Sequence, residues 1–288
     1  MKALVFGEII WDVYSDEKVI GGAPFNFSAH LSHLGSHAIL LSAVGNDPLG
    51  DFAVEEMKHH GIDSKLMQTV QYPTGICTVS LNEEKIPTFS VATNVAYDHI
   101  PFHDKLLKQI QEENADVFYF NTLIQRSSES RNTLKRILDC QPAKDIFCDV
   151  NLRPDCFDRA SLLLCLQKAT YLKISDEESH FLFDLKILSD DDREEHLTKA
   201  LAKKFPNLKL VIFTLGKDGS EVYECATGKL FSSGIPEAVS VVSTVGAGDC
   251  FGATFLHYYL AERNIPYAIQ KATERSNIVV SHKEAVPF

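Results

Sequence analysis

No two cysteines of this chain stand at C-x-x-C spacing. The seven, Cys77, Cys140, Cys148, Cys156, Cys165, Cys225 and Cys250, are odd in number and widely scattered. That pattern speaks against a zinc ribbon or a disulfide framework and fits thiols kept reduced in the cytoplasm. Among eleven histidines, His33 and His37 have the four-residue spacing of a helical metal pair, but Gly35 between them ends the helix such a pair would need. Positive charge is also scarce. With 28 Lys and Arg against 39 Asp and Glu, the net charge is -11, which disfavours a nucleic-acid or anionic-membrane partner. Any phosphate must be gripped locally, by a few groups. Long apolar runs are missing as well: Met1 to Asp12 is too short to span a bilayer and lacks a small-residue cleavage site, so it reads as a first buried strand. Neither standard nucleotide loop is present, because G-x-G-x-x-G fails at Phe251 and no G-x-x-x-x-G-K-[ST] occurs.

What is present is an ordinary core-forming composition, 45% hydrophobic and 23% charged over 288 residues, enough for a large fold without disulfides or a structural metal. Short apolar runs alternate with longer amphipathic stretches, the pattern of a parallel sheet wrapped by helices. Strands are predicted over Lys2–Gly7, Ala38–Val44, Asp116–Phe120, Asp145–Val150, Thr170–Ile174 and Lys209–Thr214. Helices are predicted over Phe25–Leu34, Asp51–His60, Ser127–Leu138, Arg159–Lys168, Asp191–Phe205 and Ala247–Glu262, with Gly35 and Gly61 supplying left-handed turns at two helix ends. Two segments break this rhythm. Trp11–Ile20 and Thr74–Val91, the latter a hairpin around Asn82-Glu83-Glu84-Lys85, are extended pieces without helices of their own, the geometry of a small sheet projecting as a lid. No repeat and no linker divides the chain, so residues 1–288 are expected to form one domain with lid segments at about 11–20 and 74–98.

The strongest chemical signal is Val241-Val242-Ser243-Thr244-Val245-Gly246-Ala247-Gly248-Asp249, read as a strand end turning through two glycines into a helix. Amides of Gly246, Ala247 and Gly248 at that helix start converge on an anion hole, suited to charge developing on a phosphoryl group in transfer. Asp249 beside it is either a base and orienter for an attacking hydroxyl or a complement to the helix dipole. Phosphoryl transfer needs positioning and charge neutralisation more than a strong base, so an ionised Asp suffices.

Other candidates sit at predicted strand ends. Gly21-Gly22-Ala23-Pro24-Phe25-Asn26 is either a plain turn or a place where backbone approaches a polyol, with Asn26 offering a donor and acceptors. Asp12 stands where an open α/β sheet gathers ligand groups, able to accept from two sugar hydroxyls. Asp149-Val150-Asn151-Leu152-Arg153-Pro154 places Asp149, Asn151 and Arg153 at the same edge, Arg153 with the planar fork that grips phosphate. Lys173-Ile174-Ser175-Asp176-Glu177-Glu178 carries an acidic cluster, either a helix start or carboxylates for a hydrated Mg²⁺. Thr214-Leu215-Gly216-Lys217-Asp218-Gly219 is either a tight hairpin or a rest for nucleotide phosphates and ribose.

Taken in this order, these segments resemble the ribokinase-like (PfkB) carbohydrate kinases from Phe6-Gly7-Glu8 to about Pro287. Phe6 to Asp12, Gln125-Arg126-Ser127 and Asp149 to Pro154 look most like bacterial fructokinases. The resemblance implies an α/β fold, a mostly parallel ribokinase-like sheet between helices with a small β lid, using ATP and Mg²⁺ on a small-molecule sugar. By position, Asp12, Gly21, Gly22, Asn26, Arg126, Asn151 and Arg153 would bind sugar. Ser175, Thr214, Gly216, Lys217, Gly219 and Gly248 would bind nucleotide, and Asp149 and Glu178 would assist the metal through water. Asp249 would activate the hydroxyl while the Gly246–Gly248 amides hold the phosphoryl group. Three positions depart from the family. Ser175 replaces a common Asn, Ser243 replaces the Asp linked to monovalent-cation activation, and Glu284-Ala285 replaces a late Gly-Ala, so a potassium site is not carried over. The expected reaction is fructose to fructose 6-phosphate. Alternatives are a kinase of 2-keto-3-deoxygluconate, ribose or a nucleoside, or a regulatory protein that binds sugar and nucleotide without turnover. A homodimer formed through exposed lid strands is a further expectation.

Overall fold

The computed structural model describes residues 1–15, 17–81, 87–234 and 239–288. The chain opens with β1 (Lys2–Phe6), β2 (Ile10–Val13), β3 (Lys18–Gly21), α1 (Ala23–His33), β4 (His37–Leu41), β5 (Ala43–Gly45), α2 (Pro48–His59), β6 (Gln68–Val70), β7 (Ile76–Leu81) and β8 (Pro87–Val91). It continues with α3 (Asp104–Glu113), β9 (Ala115–Asn121), α4 (Ser128–Asp139), β10 (Ala143–Asp149), α5 (Arg159–Lys168), β11 (Tyr171–Ser175), α6 (Asp176–Asp184) and α7 (Leu197–Lys204). Then follow β12 (Leu210–Thr214), β13 (Ser220–Glu224), β14 (Lys229–Ser232), α8 (Ala247–Glu262) and α9 (Ile265–Val280).

An eight-stranded sheet in the order β14-β13-β12-β11-β10-β9-β1-β4 forms the centre. Pairs from β12 to β4 are parallel, and β13 and β14 add an antiparallel edge. Both faces are covered, which explains why the strands are continuous apolar runs. In β1, Ala3 and Val5 point into the core under α1, α2, α8 and α9, while Leu4 and Phe6 point into the core under α3 to α7. The rings of Phe27 and Tyr119 stack at 4.2 Å, and Phe27 also packs on Phe147. This rigid aromatic layer fixes α1 over the sheet. The resulting architecture is a large, mostly parallel sheet flanked by helices, as the sequence implied.

A second, four-stranded sheet in the order β3-β2-β7-β8 carries the two segments that broke the helical rhythm. The polar connection Asn82-Glu83-Glu84-Lys85 lies outside the described residues. Lys283 forms an ion pair with Glu17, tying the stretch after α9 to the β2–β3 connection. Among the described residues no helix is long and apolar enough to cross a membrane.

Several expectations change. The strand predicted over Ala38–Val44 divides at Ser42: β4 is the edge of the main sheet, and beyond it β5 leaves to pair with β6, the Ser42 carbonyl accepting from Gln68 N–H. The helix predicted over Asp191–Phe205 is a short 3-10 turn, Asp190–Glu194, followed by α7. There the Asp192 carboxylate accepts from Ser189 N–H and Oγ–H, a local closure that competes with helix formation. Val241 and Val242 belong to no strand: they are 62% and 61% exposed, and Val242 N–H donates instead to the Val280 carbonyl of α9. Helices α3 and α9 were not anticipated, and α6 realises the helix start that was one of two readings of Asp176-Glu177-Glu178. In α3 only Leu106 and Ile110 are buried among charged neighbours, too thin an apolar stripe to stand out.

Candidate active site

The sheet's carboxyl edge assembles the site, because β10, β11 and β12 end side by side with Asp149 opposite Lys173 and Ser175 opposite Thr214. Above this edge stands the N-terminus of α8. Gly246 has φ 78°, and a Cβ there would fall 2.5 Å from Ala285 Cβ, so only glycine permits the turn. In the first α8 turn Ala247 N–H donates to the Thr244 carbonyl at 3.3 Å, while the Gly248 and Asp249 amides lack intrahelical acceptors by geometry and can meet an anion. Asp249 lies in that turn, 8% exposed.

One helix brings the other half of the cleft. Gly22, at φ 98°, caps α1, and a Cβ on it would meet the Glu8 carbonyl at 2.9 Å. Asn26 follows one turn later and donates from Nδ2 to Asp249 Oδ2 at 2.8 Å, while its buried Oδ1 has no partner among the described residues. A buried acceptor left open beside a carboxylate is costly unless a ligand donor fills it. Asp12, Gly21, Asn26, Val245, Glu284 and Ala285 line a cleft between the small sheet and the α8 turn. The Asp12 carboxylate packs so closely on Gly21 that a Cβ there would sit 3.2 Å from Oδ2.

The electrostatics are dominated by burial. Burial pushes Asp12 up to about 6, against the pull of Arg153 and a hydrogen bond from Cys77. Burial also raises Asp249, opposed by the Asn26 hydrogen bond and by the Lys173 and Arg153 charges. Glu8, buried behind the cleft and bound to Asn121 Nδ2 at 2.9 and 3.0 Å, is raised for the same reason. Arg153 thus acts on Glu8, Asp12 and Asp249 together, yet its guanidinium makes one hydrogen bond among the described residues, to the Leu152 carbonyl.

Lys173 is the main group that motif reading missed. Its Nζ donates to both oxygens of Asp149 at 3.0 and 2.9 Å. Its stem runs along two glycines of α8, since a Cβ on Gly248 would lie 3.3 Å from Nζ and one on Gly252 3.4 Å from Cδ. Burial works against the ammonium, but Asp149, Glu178 and Asp249 outweigh it and hold its pKa above the ordinary value, so it is charged at neutral pH. A lysine inside the buried run Tyr171-Leu172-Lys173-Ile174 was the available signal, because such a charge needs a carboxylate partner.

The remaining candidates are placed as follows. Arg126 binds Asp98 through Nε and Nη2 at 2.8 and 2.9 Å, and Nη2 also donates to the Ala92 carbonyl, so this edge of its fork is engaged by the protein. Asn151 adopts φ 44°, the bend that turns the chain toward Arg153. Ser175 caps α6, its N–H donating to Glu178 Oε2 at 2.9 Å, and Glu178 Oε1 accepts from Leu152 N–H at 2.7 Å. Gly216, Lys217 and Gly219 form the β12–β13 hairpin, where Gly219 is required by the Gly234 carbonyl, 2.1 Å from where a Cβ would stand. Ser243 closes a local turn by accepting from Val245 N–H. Asp149 and Glu178 both have their oxygens engaged by protein donors and leave no orphaned lone-pair cage for a bare ion. They fit a magnesium ion that arrives hydrated on nucleotide phosphates and touches them through water.

A glycine turn at a helix start, a buried carboxylate in that turn and a polar cleft opposite it are what phosphoryl transfer to a hydroxyl requires. The model of the pfkB family carbohydrate kinases matches residues 2–287. The chain belongs to that family. A pfkB relative, the ATP-dependent 6-phosphofructokinase of Thermoanaerobacterium thermosaccharolyticum, is 29% identical, covering 97% of this chain and 87% of that protein. Fructokinase of Salmonella typhimurium is 27% identical over 88% of this chain and 83% of its own. Among solved structures, Vibrio cholerae fructokinase in its fructose, ADP and calcium ion bound form superposes with a TM-score of 0.79 at 20% identity, covering 99% of this chain and 94% of that one. That likeness supports the pfkB fold.

Proposed function

We propose that this chain transfers the γ-phosphoryl group of ATP to a hydroxyl of an uncharged sugar, with D-fructose to fructose 6-phosphate as the leading reaction. The observation that carries this reading is the Asn26–Asp249 contact, which joins a sugar-facing amide to a carboxylate at the mouth of an anion hole. Asp12 and the open Oδ1 of Asn26 accept hydrogen bonds from sugar hydroxyls, and Asp249 takes the proton of the attacking hydroxyl. The Gly246–Gly248 amides bind the transferring oxygens, and Lys173 adds a fixed positive charge beneath them. Ser175, Thr214 and the Gly216–Gly219 turn line the nucleotide side, where the exposed Val241, Val242 and Ile278 offer an apolar face to a base. Magnesium, reached from Asp149 and Glu178 through its waters, would offset phosphate charge.

Arg153 favours a second reading, an acceptor carrying a carboxylate or phosphate, since among the described residues its fork makes no hydrogen bond to a side chain. Glu8, Asp12 and Asp249 around it already balance its charge, and a further anion would meet their repulsion. A coupled ADP-release assay across fructose, ribose, 2-keto-3-deoxygluconate, fructose 6-phosphate and nucleosides separates the readings. Fructose is expected to give the highest kcat/KM. A preference for either anionic acceptor selects the second reading, and a preference for nucleosides ends both.

A further inference from the structure

His30 lies one helical turn beyond Asn26 on α1, with both side chains on the face toward α8 and the stretch that follows α9. Its Nε2 stands 3.0 Å from the Ala285 carbonyl, 255 residues away, and the residue is fully buried. Ala285 is the residue that crowds Gly246, and it lines the cleft beside Glu284. The catalytic turn is therefore held on two sides by one helix: Asn26 grips Asp249 at its end, and His30 grips the segment packed against its start. We infer that His30 is a positioning residue for phosphoryl transfer, fixing the Gly246 turn through Ala285. This inference rests on the kinase reading above.

Independent features support a fixed donor role. The Ala285 carbonyl beside Nε2 can only accept and Nδ1 is buried with no partner among the described residues, so the tautomer that satisfies the site carries its proton on Nε2. Burial, with the nearby Arg275 charge, pushes the imidazole down to about 3 and keeps it neutral across the working range. The ring is held edge-on by Phe288 at 6.0 Å, whose own face carries the Arg275 guanidinium at 3.7 Å. His30 is buried behind the residues that line the cleft, so its loss acts through geometry, where a shift of about 1 Å can cost about 100-fold in rate.

The test compares His30→Leu, which keeps volume and removes the donor, with His30→Gln, which returns an N–H donor. Steady-state kinetics with the best acceptor should show kcat falling about 10–100-fold in the Leu variant, with both KM values within about 3-fold, and the Gln variant recovering to within about 5-fold. Phe288→Ala, which loosens the ring from outside, replaces the Leu variant if that protein does not fold, with a selective loss in kcat of about 5–20-fold expected. A kcat within about 2-fold of wild type in a folded Leu or Ala variant overturns the inference, as does a Gln variant no better than Leu. Inactivity of the wild type toward every acceptor would instead bring down the kinase reading, so the two failures are distinct.

Discussion

Asn26 Nδ2 donates to Asp249 Oδ2 at 2.8 Å across 223 residues of sequence. The bond orients the carboxylate and lowers its pKa against the rise caused by burial. Asn26→Ala removes both effects. The sugar KM should rise and kcat fall by about 10–100-fold, from the loss of a hydrogen bond to a charged group worth about 1.5–3 kcal/mol. The acid limb of the kcat profile should move to higher pH, because Asp249 then binds its proton more tightly; a limb that stays in place would dissociate Asn26 from the base.

Asp249→Asn keeps shape and removes the proton acceptor. General-base assistance contributes about 10²–10⁴-fold, so kcat should fall by that order. Sugar and ADP dissociation constants, read by calorimetry, should change by less than about 3-fold, since a base acts mainly in the transition state. Turnover within a few-fold of wild type would show that the carboxylate only complements the α8 dipole.

Much of this arrangement was legible in the sequence, for identifiable reasons. Glycines announce themselves where φ is positive or space is short, so the turns at Gly22 and Gly246 marked both halves of the cleft. Asn26 and Asp249 followed as the polar residues attached to those turns, and Asp12 as a carboxylate shortly after the first strand. What stayed hidden depends on contacts between distant strands and helices. Lys173 looked like part of a strand until Gly248 and Gly252 of α8 were placed along it. The pairing of Arg126 with Asp98, 28 residues earlier, was equally hidden, because its motif carries no trace of that partner. Helix α9 was missed although its buried Ile265, Ala268, Ile269, Ala272 and Val279 recur at helical spacing, because two of the five are small alanines that give the stripe little hydrophobic contrast.

Asp12 should impose a pH dependence of opposite sign on function and on stability. Its carboxyl is raised from 3.8 to about 6 by burial, so protonation below that value removes the acceptor that sugar hydroxyls need. Sugar kcat/KM should therefore decline as pH falls through 6. Stability runs the other way. A carboxyl with a raised folded pKa contributes stability below its ordinary value that is lost as pH rises through the folded one. Asp12→Asn should melt above the wild type at pH 8, and the gap should close as pH falls from 6 toward 4. A gap independent of pH would mean that Asp12 is solvated in the folded protein.

The Lys173–Asp149 pair separates charge as a structural device from charge as a catalytic one. Removing one member of a buried pair leaves the other uncompensated, typically at about 3–5 kcal/mol, whereas replacing both by apolar residues is often neutral or stabilising. Lys173→Met alone should therefore lower the denaturation midpoint sharply, and Lys173→Met combined with Asp149→Leu should restore most of it. Turnover should follow a different course. The positive charge beneath the Gly248 turn is absent from both proteins, so kcat should remain depressed by about 100-fold in the double variant, as when a single preorganised electrostatic contact is removed. Regained stability without regained kcat is the pattern that places the Lys173–Asp149 pair in the phosphoryl site. A double variant that recovers both would reduce the pair to a support for β10 and β11.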